Sequence, residues 1–151
     1  MCKPQLGLTL TAMAAKFCQT LGFNRLALTD TPNDQDRQQK ILLFWQVYIY
    51  DRTIALRIGR PPSIPEFDIT TECLDPDRLP LFSPAVIHLH RYWAHVADVQ
   101  GAVSSKLYSP VGSRQTFEQR TRLVNALVAK LQSAWHGRRE VSTDTSKTWE
   151  R

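Results

Sequence analysis

A chain of 151 residues, 42% of them hydrophobic, has the length of one globular domain and enough apolar matter to fill a core. Its formal net charge of +5 permits contact with nucleic acid or acidic partners without requiring either, and a soluble, mildly basic surface is the plainer reading. The three cysteines, Cys2, Cys18 and Cys73, are odd in number and lack metal-ligand or redox spacing, which argues against a disulfide scaffold and for reduced thiols in an intracellular compartment. No signal peptide and no membrane-length apolar run is legible.

In chain order, Leu6, Leu10, Met13, Ala14, Phe17, Cys18 and Leu21 recur at three and four and predict a first helix, with Gly22 as its stop. Residues 23–36 mix Asn24, Asp30, Pro32, Asn33 and Asp34 and read as a loop, with Asp34 or Asp36 as cap of the next helix. That helix, over about 36–58, is apolar nearly all round: Ile41 to Phe44, Trp45 and Val47 to Tyr50 leave only Gln46 as a clear solvent position. Such a helix belongs in the middle of a bundle, and with only about three other helices to cover it an exposed apolar patch and self-association are expected. Gly59 suits the left-handed position at its end, and Pro61 and Pro62 prevent its continuation. An irregular stretch with Pro76 and Pro80 follows. Ser83-Pro84 then starts a third helix through Ile87, Tyr92, Val96, Val99 and Val103 to about Tyr108, weakened modestly by Gly101 and broken by Pro110 and Gly112. Thr116 and Gln119 stand at capping-box spacing before a last helix, whose stripe is Leu123, Leu127, Leu131 and Ala134 or Trp135 and whose expected end is Gly137. Residues 138–151 are polar and patternless and read as a disordered tail. Strand alternation is absent throughout, so the fold class is all-α, an irregular bundle of about four main helices.

Two segments carry a resemblance. FWQVYIYDRTIALRIGRPPSI (residues 44–64), followed by Phe67, Asp68 and Ile69, is similar to the signature of the fungal-specific transcription factor domain: an aromatic-rich helix ending in Asp-Arg, then Gly-Arg-Pro-Pro. AAKFCQTLGFNR (residues 14–25) resembles that family's preceding helix. The positions matching the motifs are Leu21, Gly22, Arg25, Trp45, Asp51, Arg52, Gly59, Arg60, Pro61, Pro62 and Asp68. The resemblance implies the middle regulatory region of fungal zinc-cluster transcription factors: regulation of transcription in a nucleus through protein contacts with the transcription machinery or a full-length relative. It also implies a partial domain over residues 1–137, since the family carries further helices upstream. A truncated product, a mispredicted gene model and a non-functional gene fragment stay open as readings. Zinc-cluster relatives bind DNA through six cysteines and two zinc ions, and three scattered cysteines cannot make that module.

Among the charged residues, Asp51 and Arg52 point about 100° apart on a helix, so each needs a partner elsewhere. A catalytic acid is conceivable at Asp51, but no second carboxylate or nucleophile stands at recognisable spacing, and a structural polar network is the expectation. His88, His90, His95 and Asp98 suggest the alternative, a small helical enzyme or metal-binding protein. His88 and His95 share a face while His90 points away, against the four-residue spacing of helical zinc ligands. No catalytic, cofactor-binding or metal residues are therefore assigned. Arg138-Arg139 is too short for a basic localisation cluster.

Overall fold

The computed structural model describes residues 4–26, 35–71 and 73–146. They form four α-helices, α1 (Pro4–Thr20), α2 (Gln35–Ile58), α3 (Pro84–Leu107) and α4 (Phe117–Ser146), with single 3-10 turns at Phe23–Arg25, Glu66–Asp68 and Gly112–Arg114. No strand occurs among the described residues. The fold is all-α, as the periodicity predicts.

α2 is the middle element and packs on α1 and on α3, while α4 packs on α3. Gly7 lies against Ile54, and Lys40 sits over the Phe23 ring, so α1 runs antiparallel to α2. Gln46 meets His90 and Thr53 meets Gln100, so α2 and α3 run parallel. Parallel neighbours need a long return connection, and residues 59–83 supply it. Ile64 joins the main core with Phe44, Tyr48, Ile49 and Ala94, and Leu74 and Leu79 close a second core with Ile41 and Ile87. Gln38, buried on α2, accepts the Leu81 N–H at 2.9 Å and pins the end of the connection.

Glycine ends two elements. Gly59 has φ 69°, its N–H donates to Leu56 O at 3.2 Å, and the Arg60 N–H donates to Ala55 O at 2.9 Å. Those are the two bonds of a Schellman stop. Gly22, with φ 75°, ends α1 in the same left-handed geometry. At α4 the capping box forms: the Gln119 N–H donates to Thr116 Oγ1 and the Thr116 N–H to Gln119 Oε1.

Five expectations need correction. On α2 the solvent positions include Leu43 and Tyr50, 50% and 53% exposed, whereas Gln46 is half-buried against His90 of α3. Of the repeat that identifies α1, only Cys18 enters the core, with Ala14 packed against it and Ala15 added, whereas Leu6, Leu10, Met13, Phe17 and Leu21 are between 52% and 63% exposed. Small side chains let α1 approach α2 closely, which turns the large ones outward. Asp36 is no cap but lies inside α2, paired with Lys40 one turn on, and Asp34 falls outside the described residues. Ser83 stands at the cap position of α3, but its hydroxyl makes no cap bond. α4 does not stop at Gly137; it continues to Ser146 through the first part of the expected tail. A lone glycine costs a helix about 1 kcal/mol relative to alanine, and without a left-handed φ it is not a stop.

Candidate functional site

The motif residues converge on two polar clamps that fasten the 59–71 segment to the helices. Asp51 follows Val47 and Tyr48 onto the side of α2 that faces this segment. It is fully buried, and its carboxylate accepts the Ser63 N–H at 2.9 and 2.8 Å and the Ile64 N–H at 3.0 Å. Carboxylate-to-amide bonds of this kind are charge-assisted and about twice as strong as neutral ones. Pro61 and Pro62 hold the chain extended just before those two donors, so the Gly-Arg-Pro-Pro turn delivers them to Asp51. Arg60 and Pro61 are themselves exposed, and Pro62 is half-buried.

Arg52 is 3% exposed and carries its charge into the interior. Its Nη1 donates to Ile64 O at 3.2 Å, and its guanidinium lies 3.9 Å from the centre of the Tyr48 ring, a cation–π contact. Burial pushes the Tyr48 phenol up to about 12, against the lowering pull of Arg52. Gly101 of α3 explains how a buried arginine fits: a Cβ there would stand 2.8 Å from Arg52 Nε. Asp51 and Arg52 thus hold the N–H and the C=O of Ile64 respectively. They fix one residue from two sides and do not pair with each other.

The second clamp joins the two sequence motifs. Asn24, 1% exposed, donates through Nδ2 to Asp68 O at 2.7 Å and Asp68 Oδ2 at 3.0 Å, and Arg25 forms an ion pair with Asp68 Oδ1. Asn24 O in turn accepts the N–H groups of Thr70 and Thr71. Thr71 Oγ1 accepts the Leu26 N–H and donates to Phe23 O at 2.6 Å. Gly22 makes the turn that presents this segment, while Leu21 beside it is exposed. Trp45 fills the space between the two cores, edge-on to Phe44 and Tyr48 at 5.5 and 5.1 Å. Asn24, Thr71 and Gly101 belong to these clamps, although by local pattern Asn24 reads as loop and Gly101 as a weak point of a helix. Their partners lie about 45 residues away in sequence, and only the mid-helix glycine offered a local signal.

The histidine face does not converge. His90 is engaged with Val86 O and Gln46 Oε1, His95 is exposed, and Asp98 is bound to Lys130 at 2.8 Å. His88 is half-buried on the same helix. Burial and the positive charge of Arg91 hold His95 below the usual histidine range, with Asp98 pulling it up. Burial pushes the Cys18 thiol up, and Cys73 is exposed elsewhere on the chain. Among the described residues no three His, Cys, Asp or Glu side chains group as metal ligands.

The motif residues Arg25, Asp51, Arg52 and Asp68 are thus engaged in contacts within this helical domain. Residues 1–125 match the fungal specific transcription factor domain, and the chain belongs to that family. It is 28% identical over 120 residues to an ABC-transporter-regulating transcription factor of Aspergillus fumigatus, and equally so to one from Aspergillus oryzae. Each alignment covers 75% of this chain and 13% of the relative, so the chain spans a small part of their length. No solved structure matches.

Proposed function

We propose that this chain acts in transcriptional regulation in a fungal nucleus through protein contacts, with the transcription machinery or a full-length relative as partner. The observation that carries this reading is the family match over residues 1–125, together with relatives described as transcription factors. The clamp residues Asp51, Arg52, Asn24 and Asp68 act as internal fasteners in this reading, and partners meet the surface around them. The chain is not an enzyme, and it uses no cofactor and no zinc of its own. The three cysteines of residues 1–151 do not make a six-cysteine DNA module, so in this reading these residues contribute through protein contacts. Among the described residues no helix is long and apolar enough to cross a membrane. Control of ABC-transporter genes belongs to the relatives' descriptions, and the proposal takes from them only the regulatory class. Fusing the full chain to an unrelated DNA-binding module above a reporter tests it. A change in reporter output relative to the module alone is expected; identical output would overturn the regulatory reading.

A further inference from the structure

We propose that a second copy of this chain covers the outer ridge of α1, in an antiparallel two-fold contact that packs Leu10 of each copy on Met13 of the other. Leu6, Leu10, Met13 and Phe17 are all more than half exposed and follow one another at four, three and four residues. That is the alternation of a coiled-coil seam, which seats its side chains between those of a matching seam. The spacing also reads the same backwards. Turning α1 end for end sets Leu6 against Phe17 and Leu10 against Met13, so the ridge is complementary to itself, as a two-fold contact requires.

Charge favours the antiparallel arrangement. Lys16 is the one charged residue between Leu6 and Leu21. A parallel pair would bring the two Lys16 side chains together, whereas the antiparallel pair sets them roughly 14 Å apart along the seam, at 1.5 Å per residue. Opposed helix dipoles act in the same direction.

The area is that of a stable dimer. Leu21, 63% exposed, extends the ridge by a further step of four. Together the five side chains offer about 500 Å² of apolar surface per copy, from the usual areas of aliphatic and aromatic side chains. Because interfaces are about 60–65% apolar, the full footprint comes to roughly 800 Å² per partner, the standard size for a specific complex. This contact holds or fails independently of the transcriptional role.

Sedimentation of the full chain across the micromolar range tests the association. A monomer–dimer equilibrium is expected, and the double variant Leu10→Lys/Met13→Lys should weaken it by about tenfold or more. Its helical content should be unchanged, because both side chains already face solvent. The control Val124→Lys/Val128→Lys on the exposed face of α4 should associate as the parent does. A parent chain that stays monomeric, or association lost in the α4 control but kept in the α1 variant, would overturn the proposal. Direction is read by cross-linking in a Cys2→Ser/Cys73→Ser background. Mixed Leu10→Cys and Met13→Cys chains should form a disulfide-linked heterodimer. Leu6→Cys chains, roughly 16 Å apart across the seam, should not link, being beyond the reach of about 7 Å between Cα atoms. Linking of Leu6→Cys chains in place of the mixed pair sinks the antiparallel contact.

Discussion

At the scale of single residues, the buried carboxylate of Asp51 is met by backbone N–H groups and not by an opposite charge, while buried Arg52 has one backbone carbonyl and the Tyr48 ring and leaves its Nε without a hydrogen bond. Asp51 takes the two N–H groups that the Pro-Pro turn leaves over, and their removal from water is offset only while the carboxylate accepts them. Asp51→Ala strands both donors in the interior and should cost about 2–4 kcal/mol in urea unfolding. Asp51→Asn keeps one acceptor oxygen but turns an NH2 toward a donor, so it should still lose a substantial part; a loss near zero for either would show the clamp to be ornamental. Gly59 sits at φ 69°, where a β-branched side chain is strained, so Gly59→Val should destabilise by about 1 kcal/mol or more. Gly59→Asn should lose less, and equal losses would remove the left-handed stop as the cause. His95 offers a pH readout. Its imidazolium is disfavoured in the fold by burial and Arg91, with Lys130 of α4 adding to the repulsion and Asp98 opposing it. The unfolded chain therefore binds the extra proton, and stability falls as pH drops below about 6.5. By NMR titration Arg91→Gln should raise the His95 midpoint and Asp98→Asn should lower it; His95→Gln should flatten the acid-side loss.

Elements were legible where a local rule decides them, and not where a neighbour does. The aromatic density of residues 44–50 places α2 at the centre, and the left-handed glycines mark two helix ends, because sterics at those positions depend on the chain itself. Which face of α1 turns inward is different in kind. A repeat of three and four identifies the helix, but the choice between the Leu6–Leu21 ridge and the Gly7–Ala15–Cys18 side rests on how near α2 comes. The same holds for the clamps: Asp51 and Arg52 stood out as charges in an apolar helix, whereas Ile64 and Asp68 as their neighbourhood required the 59–71 segment to fold back. α3 shows the cost of reading a residue by propensity alone. Gly101 should be a weak point that alanine improves by about 1 kcal/mol. The surroundings argue for the opposite sign, because a Cβ there would stand 2.8 and 3.2 Å from Arg52 Nε and Cδ, and Arg52 is held by Ile64 O and the Tyr48 ring. Gly101→Ala should therefore lower the unfolding midpoint, and Gly101→Val should lower it further. A rise with alanine would mean that the guanidinium moves aside freely.

At the scale of the whole molecule, the described helices offer no element suited to reading DNA sequence. Sequence-specific recognition needs a rigid element that brings several side chains to base edges in a groove. α2 packs on α1, α3 and the return connection, and the large side chains it leaves half-exposed, Leu43 and Tyr50, are apolar or aromatic. α1 is exposed, but its outward ridge is leucine, methionine and phenylalanine, which offer a base edge no bidentate hydrogen bonds. Exposed cations occur on every described helix: Lys16 on α1, Arg57 and Arg60 at the end of α2, Arg91 and Lys106 on α3, Arg78 and Arg114 in connections, and Lys130 and Arg122 on α4, paired with Asp98 and Glu118, while Arg25 is paired with Asp68. A net charge of +5 spread in this way attracts phosphate without registering sequence, and such attraction decays steeply with salt because it rests on counterion release. The chain alone should therefore show no preference between the triplet sites typical of zinc-cluster factors and scrambled duplex at physiological salt. Any binding at low salt should be equal for both and should vanish together as salt rises. Competition binding at two ionic strengths measures this directly, and a reproducible preference for the intact site would require a reading element that none of the described helices supplies.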